Sequence, residues 1–117
     1  MKITHTIILL VLSFSSALLN AQNNLSFHEQ MVFSNYLIKN NYYDDSKTFV
    51  HYFLHDSSLT NDQKDSLYYF AGKVYYKSEI FDTASIYFSK VSGNSAIHSE
   101  AAFYSSFCLV EDHRYEK

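Results

Sequence analysis

Apolar residues recur along this chain every three to four positions, in blocks parted by short polar stretches. Phe27, Met31, Val32, Tyr36 and Leu37, with Ile38 alongside, keep to one face of a helix that Asn40-Asn41 ends. Asp44-Asp45 open a second helix, where negative charge suits the N-terminal dipole, and Phe49, Val50, Phe53 and Leu54 form its buried stripe. A polar connector covers residues 55–61. Thr60 and Gln63 then have capping-box spacing, a hydroxyl acceptor with an amide three residues on. The helix they open is expected to run to about Lys77, with Ser78-Glu79 in the turn. A fourth helix is expected over 82–91, stopped at Ser92-Gly93-Asn94 with Gly93 in the left-handed conformation. A fifth is expected from Ala96 or Ser99 to Val110, then a turn at Asp112-His113 and a sixth helix from Arg114. The pattern predicts an all-α chain of helical hairpins.

The hairpins repeat. Small residues stand at Ser34, Gly72 and Ser106, separated by 38 and 34 positions, and the aromatics Tyr43, Phe81 and Tyr115 keep the same intervals. The longer first interval fits the polar connector, where added residues cost little. The central unit carries Tyr68, Ala71, Gly72, Tyr75, Phe81, Ala84 and Phe88. The first has Phe33, Ser34, Leu37, Tyr43, Ser46 and Val50, with Gln30 where an aromatic is expected; the third has Ala102, Ser106, Leu109 and Tyr115. This pattern resembles the tetratricopeptide repeat (TPR), whose period is about 34 residues. The resemblance covers Phe27 to Lys117, without the proline that often closes each repeat. It implies an α-α hairpin solenoid, a right-handed superhelix: hairpin 1 at 27–61, hairpin 2 at 62–95 and an incomplete hairpin 3 at 96–117. Gly72 and Ala84 are expected where two helices meet closely, with Tyr75, Phe81 and Phe88 filling space towards the next hairpin. The fifth helix lacks a partner, which leaves Phe103, Phe107 or Leu109 exposed. The chain thus reads as an N-terminal fragment of a longer repeat protein, or as one whose stack a partner or a second copy completes.

The first residues are of another kind. Met1-Lys2 is followed by an apolar run over 7–12 that continues, broken by serines, to Leu19, and Ala21 offers a small residue for cleavage. This is the layout of a signal peptide over 1–21; the alternative, a retained membrane anchor, needs about 20 mostly apolar residues. A polar lead-in at 22–26 follows. The Ala21-Gln22 junction resembles those of Bacteroidetes-type bacteria, which implies export to the periplasm or beyond. The net charge of −3 becomes −4 once Lys2 is removed. With no basic run, nucleic acid is excluded as an expected partner. Cys108 is the only cysteine, so neither an intramolecular disulfide nor a lipidated cysteine at the junction is available.

Little in the chain suggests chemistry. His51 and His55 can share a helix face, but a metal site needs more ligands. Cys108 lies near His98 and His113 in sequence, yet it sits between Phe107 and Leu109, a core position. Asp44-Asp45 and Asp62/Asp65 fall at helix starts, where carboxylates cap and offset the dipole. There is no phosphate-binding glycine loop and no CxxC pair. No catalytic residue, metal or cofactor is expected.

The TPR resemblance implies a groove lined by the first helix of each hairpin. Its positions fall on His28, Met31, Asn35, Ile38 and Lys39; on Ser66, Tyr69, Lys73, Tyr76 and Lys77; and on Glu100, Phe103, Phe107, Val110 and Glu111. Asn35, Tyr69, Lys73, Tyr76, Phe103 and Phe107 are the candidate partner-binding residues, since aromatics dominate such surfaces. The carboxylate clamp of chaperone-tail TPRs is not matched: Asn35 fits, but Met31, Glu100 and Tyr104 replace its basic residues. The segment from Ser99 to Tyr104 resembles the repeats of bacterial envelope-assembly proteins. The expected function is an exported, non-enzymatic scaffold that binds a protein or peptide. The alternative is a set of docking repeats for a signalling or catalytic domain beyond residue 117.

Overall fold

A computed structural model describes residues 26–115, and every regular element among them is helical. The expected signal peptide and all of the lead-in except Ser26 lie outside the described residues. The helices are α1 (Phe27–Lys39), α2 (Tyr43–Leu54), α3 (Asn61–Lys77), α4 (Phe81–Ser89) and α5 (His98–Tyr115). None of the described helices is long and apolar enough to cross a membrane. The chain divides into two compact units, 1–33 and 34–117, with the boundary inside α1.

Of the first unit, Ser26 and the opening turns of α1 are described. Ser26 and Glu29 form a reciprocal cap: the Ser26 backbone N–H donates to Glu29 Oε2 at 2.8 Å, and the Glu29 N–H donates to Ser26 Oγ at 3.3 Å. The Ser26 backbone N–H, and then the Ser26 hydroxyl, which donates to the same Oε2 at 2.8 Å, favour the ionised form and hold the Glu29 carboxyl below its ordinary range.

In the second unit the first structural signal is again a cap. Thr60 accepts from the Gln63 N–H at 3.2 Å, and Gln63 Oε1 accepts from the Thr60 N–H at 2.9 Å, as the spacing predicted. Consecutive helices then pack in turn, α2 on α3, α3 on α4 and α4 on α5. Phe49 joins the first pair, with its ring 4.4 Å from Phe53 and 6.5 Å from Phe70. At the second seam Gly72 lies directly against Phe88, and Tyr75 stacks on Tyr87 at 5.4 Å. At the third, Phe88 stacks on Tyr104 at 5.4 Å, and the Ser85 and Ser105 hydroxyls lie 3.0 Å apart. Burying a side chain such as Phe70 or Phe88 contributes about 2–3 kcal/mol relative to leaving it in water.

The turns after α1 and α3 are built alike. Asn41 and Glu79, 38 positions apart, both have positive φ, 64° and 61°. Tyr42 N–H bonds Leu37 C=O while Asn41 N–H bonds Ile38 C=O; Ile80 N–H bonds Tyr75 C=O while Glu79 N–H bonds Tyr76 C=O. Each is a Schellman motif with a residue other than glycine at its left-handed position. The small residues keep the same interval: Ser34 and Ser46 are fully buried in α1 and α2, and so is Ala84 in α4.

Several expectations need correction. Gly93 has no positive φ; α4 ends at Ser89 through ordinary right-handed Lys90, so no left-handed residue is required. The expected turn at Asp112-His113 does not form, and α5 continues to Tyr115 without the break that would begin a sixth helix. Neither Asp nor His breaks a helix in the absence of Gly or Pro. On α1, Val32 and Tyr36 are more than half exposed, and Ser34, Leu37 and Ile38 are the buried residues. Tyr75 does not reach forward; it fills the seam with Tyr87 and receives the Lys47 ammonium 5.5 Å above its ring.

Candidate functional site

Four of the six candidate groove residues converge with Glu100 along α3 and α5. Tyr69, Lys73 and Tyr76 occupy successive turns of α3, and the Lys73 ammonium lies 5.2 Å from the Tyr69 ring centre. The Tyr69 hydroxyl donates to Glu100 Oε1 on α5 at 2.5 Å. Burial first, and then the Glu100 carboxylate, push the Tyr69 phenol well above its ordinary range. The next contact along α3 is the Tyr76 ring, edge-on to Phe107 at 6.0 Å and to Tyr104 at 5.5 Å. Burial also raises the Tyr76 phenol, with smaller contributions from Cys108, Tyr104 and Glu111, so it stays neutral at ordinary pH.

Phe103 is continuous with this row. It meets Tyr104 edge-on at 5.7 Å and leaves 66% of its surface in water. Phe107 is 38% and Val110 58% exposed, so the row offers apolar surface rather than a closed core. Asn35 is exposed on α1, and no described contact joins it to the row. Ile38 is buried and does not line a groove.

Tyr69 and Tyr76 have a double role that their spacing alone did not reveal. Tyr69 packs 5.8 Å from Phe88, and Tyr76 lies 5.8 Å from Phe81. Each ring therefore supports the α4 core with one part and borders the row with another. Glu100 was placed in the groove by the repeat pattern, but its bond to Tyr69 had no sequence signal beyond that.

Asp65 is buried; its two oxygens accept the Ser92 N–H at 3.0 Å and the Ser92 hydroxyl at 2.5 Å. It ties the early part of α3 to the link that follows α4, a role its place near a helix start did not suggest. His51 and His55 are exposed, with ring centres 4.6 Å apart, and His55 Nδ1 lies 2.7 Å from the His51 carbonyl. Among the described residues no group of three or more His, Cys, Asp or Glu side chains is placed to hold a metal ion. Cys108 is fully buried, and burial pushes its thiol up to about 11, which disfavours the nucleophilic thiolate.

The chain matches no family model, no curated protein and no solved structure.

Proposed function

We propose that this chain is an exported, tetratricopeptide-like stack of helical hairpins that binds an extended peptide or a helix of a partner protein and carries out no catalysis itself. The observation that carries the reading is the row of Tyr69, Lys73, Tyr76, Phe103 and Phe107. Its residues lie on α3 and α5, which the repeat pattern assigns as the first helices of hairpin 2 and of the incomplete hairpin 3. Aromatic side chains of this kind provide large contact area for little conformational entropy, and such residues dominate binding energy. The recurrence of the same Schellman turn 38 residues apart supports a repeating hairpin. Export rests on the charged, apolar and small-residue layout of positions 1–21.

The test uses the exposed Phe103 and the half-buried Lys73, because Tyr69 and Tyr76 also support the core. Phe103→Ala with Lys73→Ala is expected to weaken capture of a partner by immobilised protein at least tenfold, with helicity by circular dichroism unchanged. Capture that persists at the original level, from an equally helical variant, removes the row as the binding surface.

A further inference from the structure

Two exposed histidines stand one turn apart where α2 ends. His51 lies in the last turn of the helix, and His55 is its C-cap, still in right-handed helical geometry with φ −87° and ψ −2°. Their ring centres are 4.6 Å apart. We infer that this pair binds a divalent transition-metal ion, copper(II) most tightly, through one imidazole nitrogen of each ring. The site does not depend on the proposed Tyr69–Phe107 row.

Spacing and tautomer select the ligand. Histidines at i and i+4 share a helix face, the spacing with which helical zinc sites present two imidazoles to one ion. His55 Nδ1 lies 2.7 Å from the His51 carbonyl oxygen. A carbonyl only accepts, so Nδ1 carries the proton and donates it, and the neutral ring keeps its lone pair on Nε2. A backbone carbonyl against the other ring nitrogen is a usual contact of a metal-bound imidazole, and it fixes the ring and raises its basicity. His55 makes that contact from within its own helix. The helix end also suits a cation, because its last carbonyls carry partial negative charge.

The number of ligands selects among metals. A closed tetrahedral zinc site needs four protein donors, and among the described residues no third histidine, cysteine or carboxylate joins this pair. Imidazole nitrogens with water in the remaining positions suit copper(II), whose tetragonal geometry accepts such a set and which stands highest in the affinity order of the first-row divalent ions. Calcium and magnesium prefer oxygen donors and do not compete. The site is therefore open and exchangeable rather than a structural centre.

The probe is copper(II) chloride, titrated into the intact protein in a non-coordinating buffer. A single equivalent is expected to bind saturably, to broaden the His51 and His55 imidazole signals in NMR before those of His28 and His98, and to show two nitrogen ligands by electron paramagnetic resonance. Nickel(II) and zinc(II) are each expected to bind more weakly. His51→Ala and His55→Ala are each expected to weaken copper(II) at least about tenfold, since losing one ring turns a chelate into a single contact. Both positions are exposed, so helicity by circular dichroism is expected to hold. His55→Ala with Ser57→His keeps the number of histidines but moves the second ring off the shared face, and is expected to bind as weakly as His55→Ala alone. If copper(II) broadens His28 or His98 as readily as the pair, the site is overturned. It is overturned equally if either single variant, or the variant with the displaced histidine, binds at the original strength.

Discussion

Gly72 offers the sharpest test of the packing. A Cβ built there would lie 2.6 Å from Phe88 Cδ1 and Cε1 and 2.8 Å from Cγ. In an exposed helix interior Gly→Ala gains about 1 kcal/mol from helix propensity. At Gly72 the ring cannot readily give way. Phe88 is 1% exposed, with Tyr104 stacked 5.4 Å away and Tyr69 at 5.8 Å. Because Cγ is involved as well as the outer ring, rotating the ring does not relieve the contact. Overpacking of this kind costs about 1–3 kcal/mol, and a 2.6 Å approach argues for the upper part of that range. Gly72→Ala is therefore expected to destabilise by about 1–2 kcal/mol net, lowering the thermal midpoint by roughly 5–15 °C for a domain of this size. Urea unfolding followed by circular dichroism at a common m-value reads the change. The double variant with Phe88→Leu separates the two effects: once the ring is gone, adding Gly72→Ala is expected to be neutral or stabilising. If Gly72→Ala alone raises stability by about 1 kcal/mol, as at a solvent-facing glycine, the close α3–α4 approach is wrong.

Further predictions follow from single contacts. Glu79→Gly relieves the left-handed backbone and is expected to stabilise by about 0.5–1 kcal/mol in urea unfolding, with a smaller gain for Asn41→Gly because Asn tolerates that conformation better. Asp65→Ala removes both acceptors of Ser92 and is expected to cost about 2–3 kcal/mol, with Asp65→Asn intermediate. Cys108 is expected to resist alkylation at pH 8 in the folded protein and to react only as the α4–α5 seam opens, so labelling should accelerate with urea in step with unfolding. Tyr69, Tyr76 and Tyr87 all have phenols raised above their ordinary value. Their contribution is complete below the unfolded tyrosine pKa of about 10 and is lost as pH rises through the folded values. Unfolding midpoints should therefore fall above about pH 10, and Tyr69→Phe should reduce the slope.

Local signals in the sequence were read more reliably than seams. The Thr60–Gln63 cap, the buried stripe of Phe49, Val50 and Phe53 (with Leu54, read as its fourth member, only half-buried), and the core placement of Cys108 follow from spacing and residue type. The cap of Ser26 by Glu29 has the same signature and was missed, because Ser26 was assigned to the polar lead-in although the helix was started at Phe27. The α1 face was misjudged because Val32 and Tyr36 fit a helical period as well as Ile38 does; only packing decides which side is covered. Gly93 was assigned the left-handed turn on residue type, whereas the chain places that conformation at Asn41 and Glu79. There the geometry of a short helix–helix link outweighs the preference for glycine. The convergence of Tyr69 with Glu100 and of Tyr76 with Phe107 depends on how α5 lies against α3 and α4. The repeat interval suggested which residues share a face, but not which side chains touch.

The central claim is that the exposed side of the α3–α5 row receives a partner. A photoreactive phenylalanine analogue at position 103, compared with one at the exposed position 86 of α4, tests it in cells expressing the full-length protein. The expected result is a defined crosslinked adduct from position 103, diminished by Lys73→Ala and absent from position 86. Equal crosslinking from both positions, or none from 103 in a protein that still shows its helical spectrum, contradicts the claim.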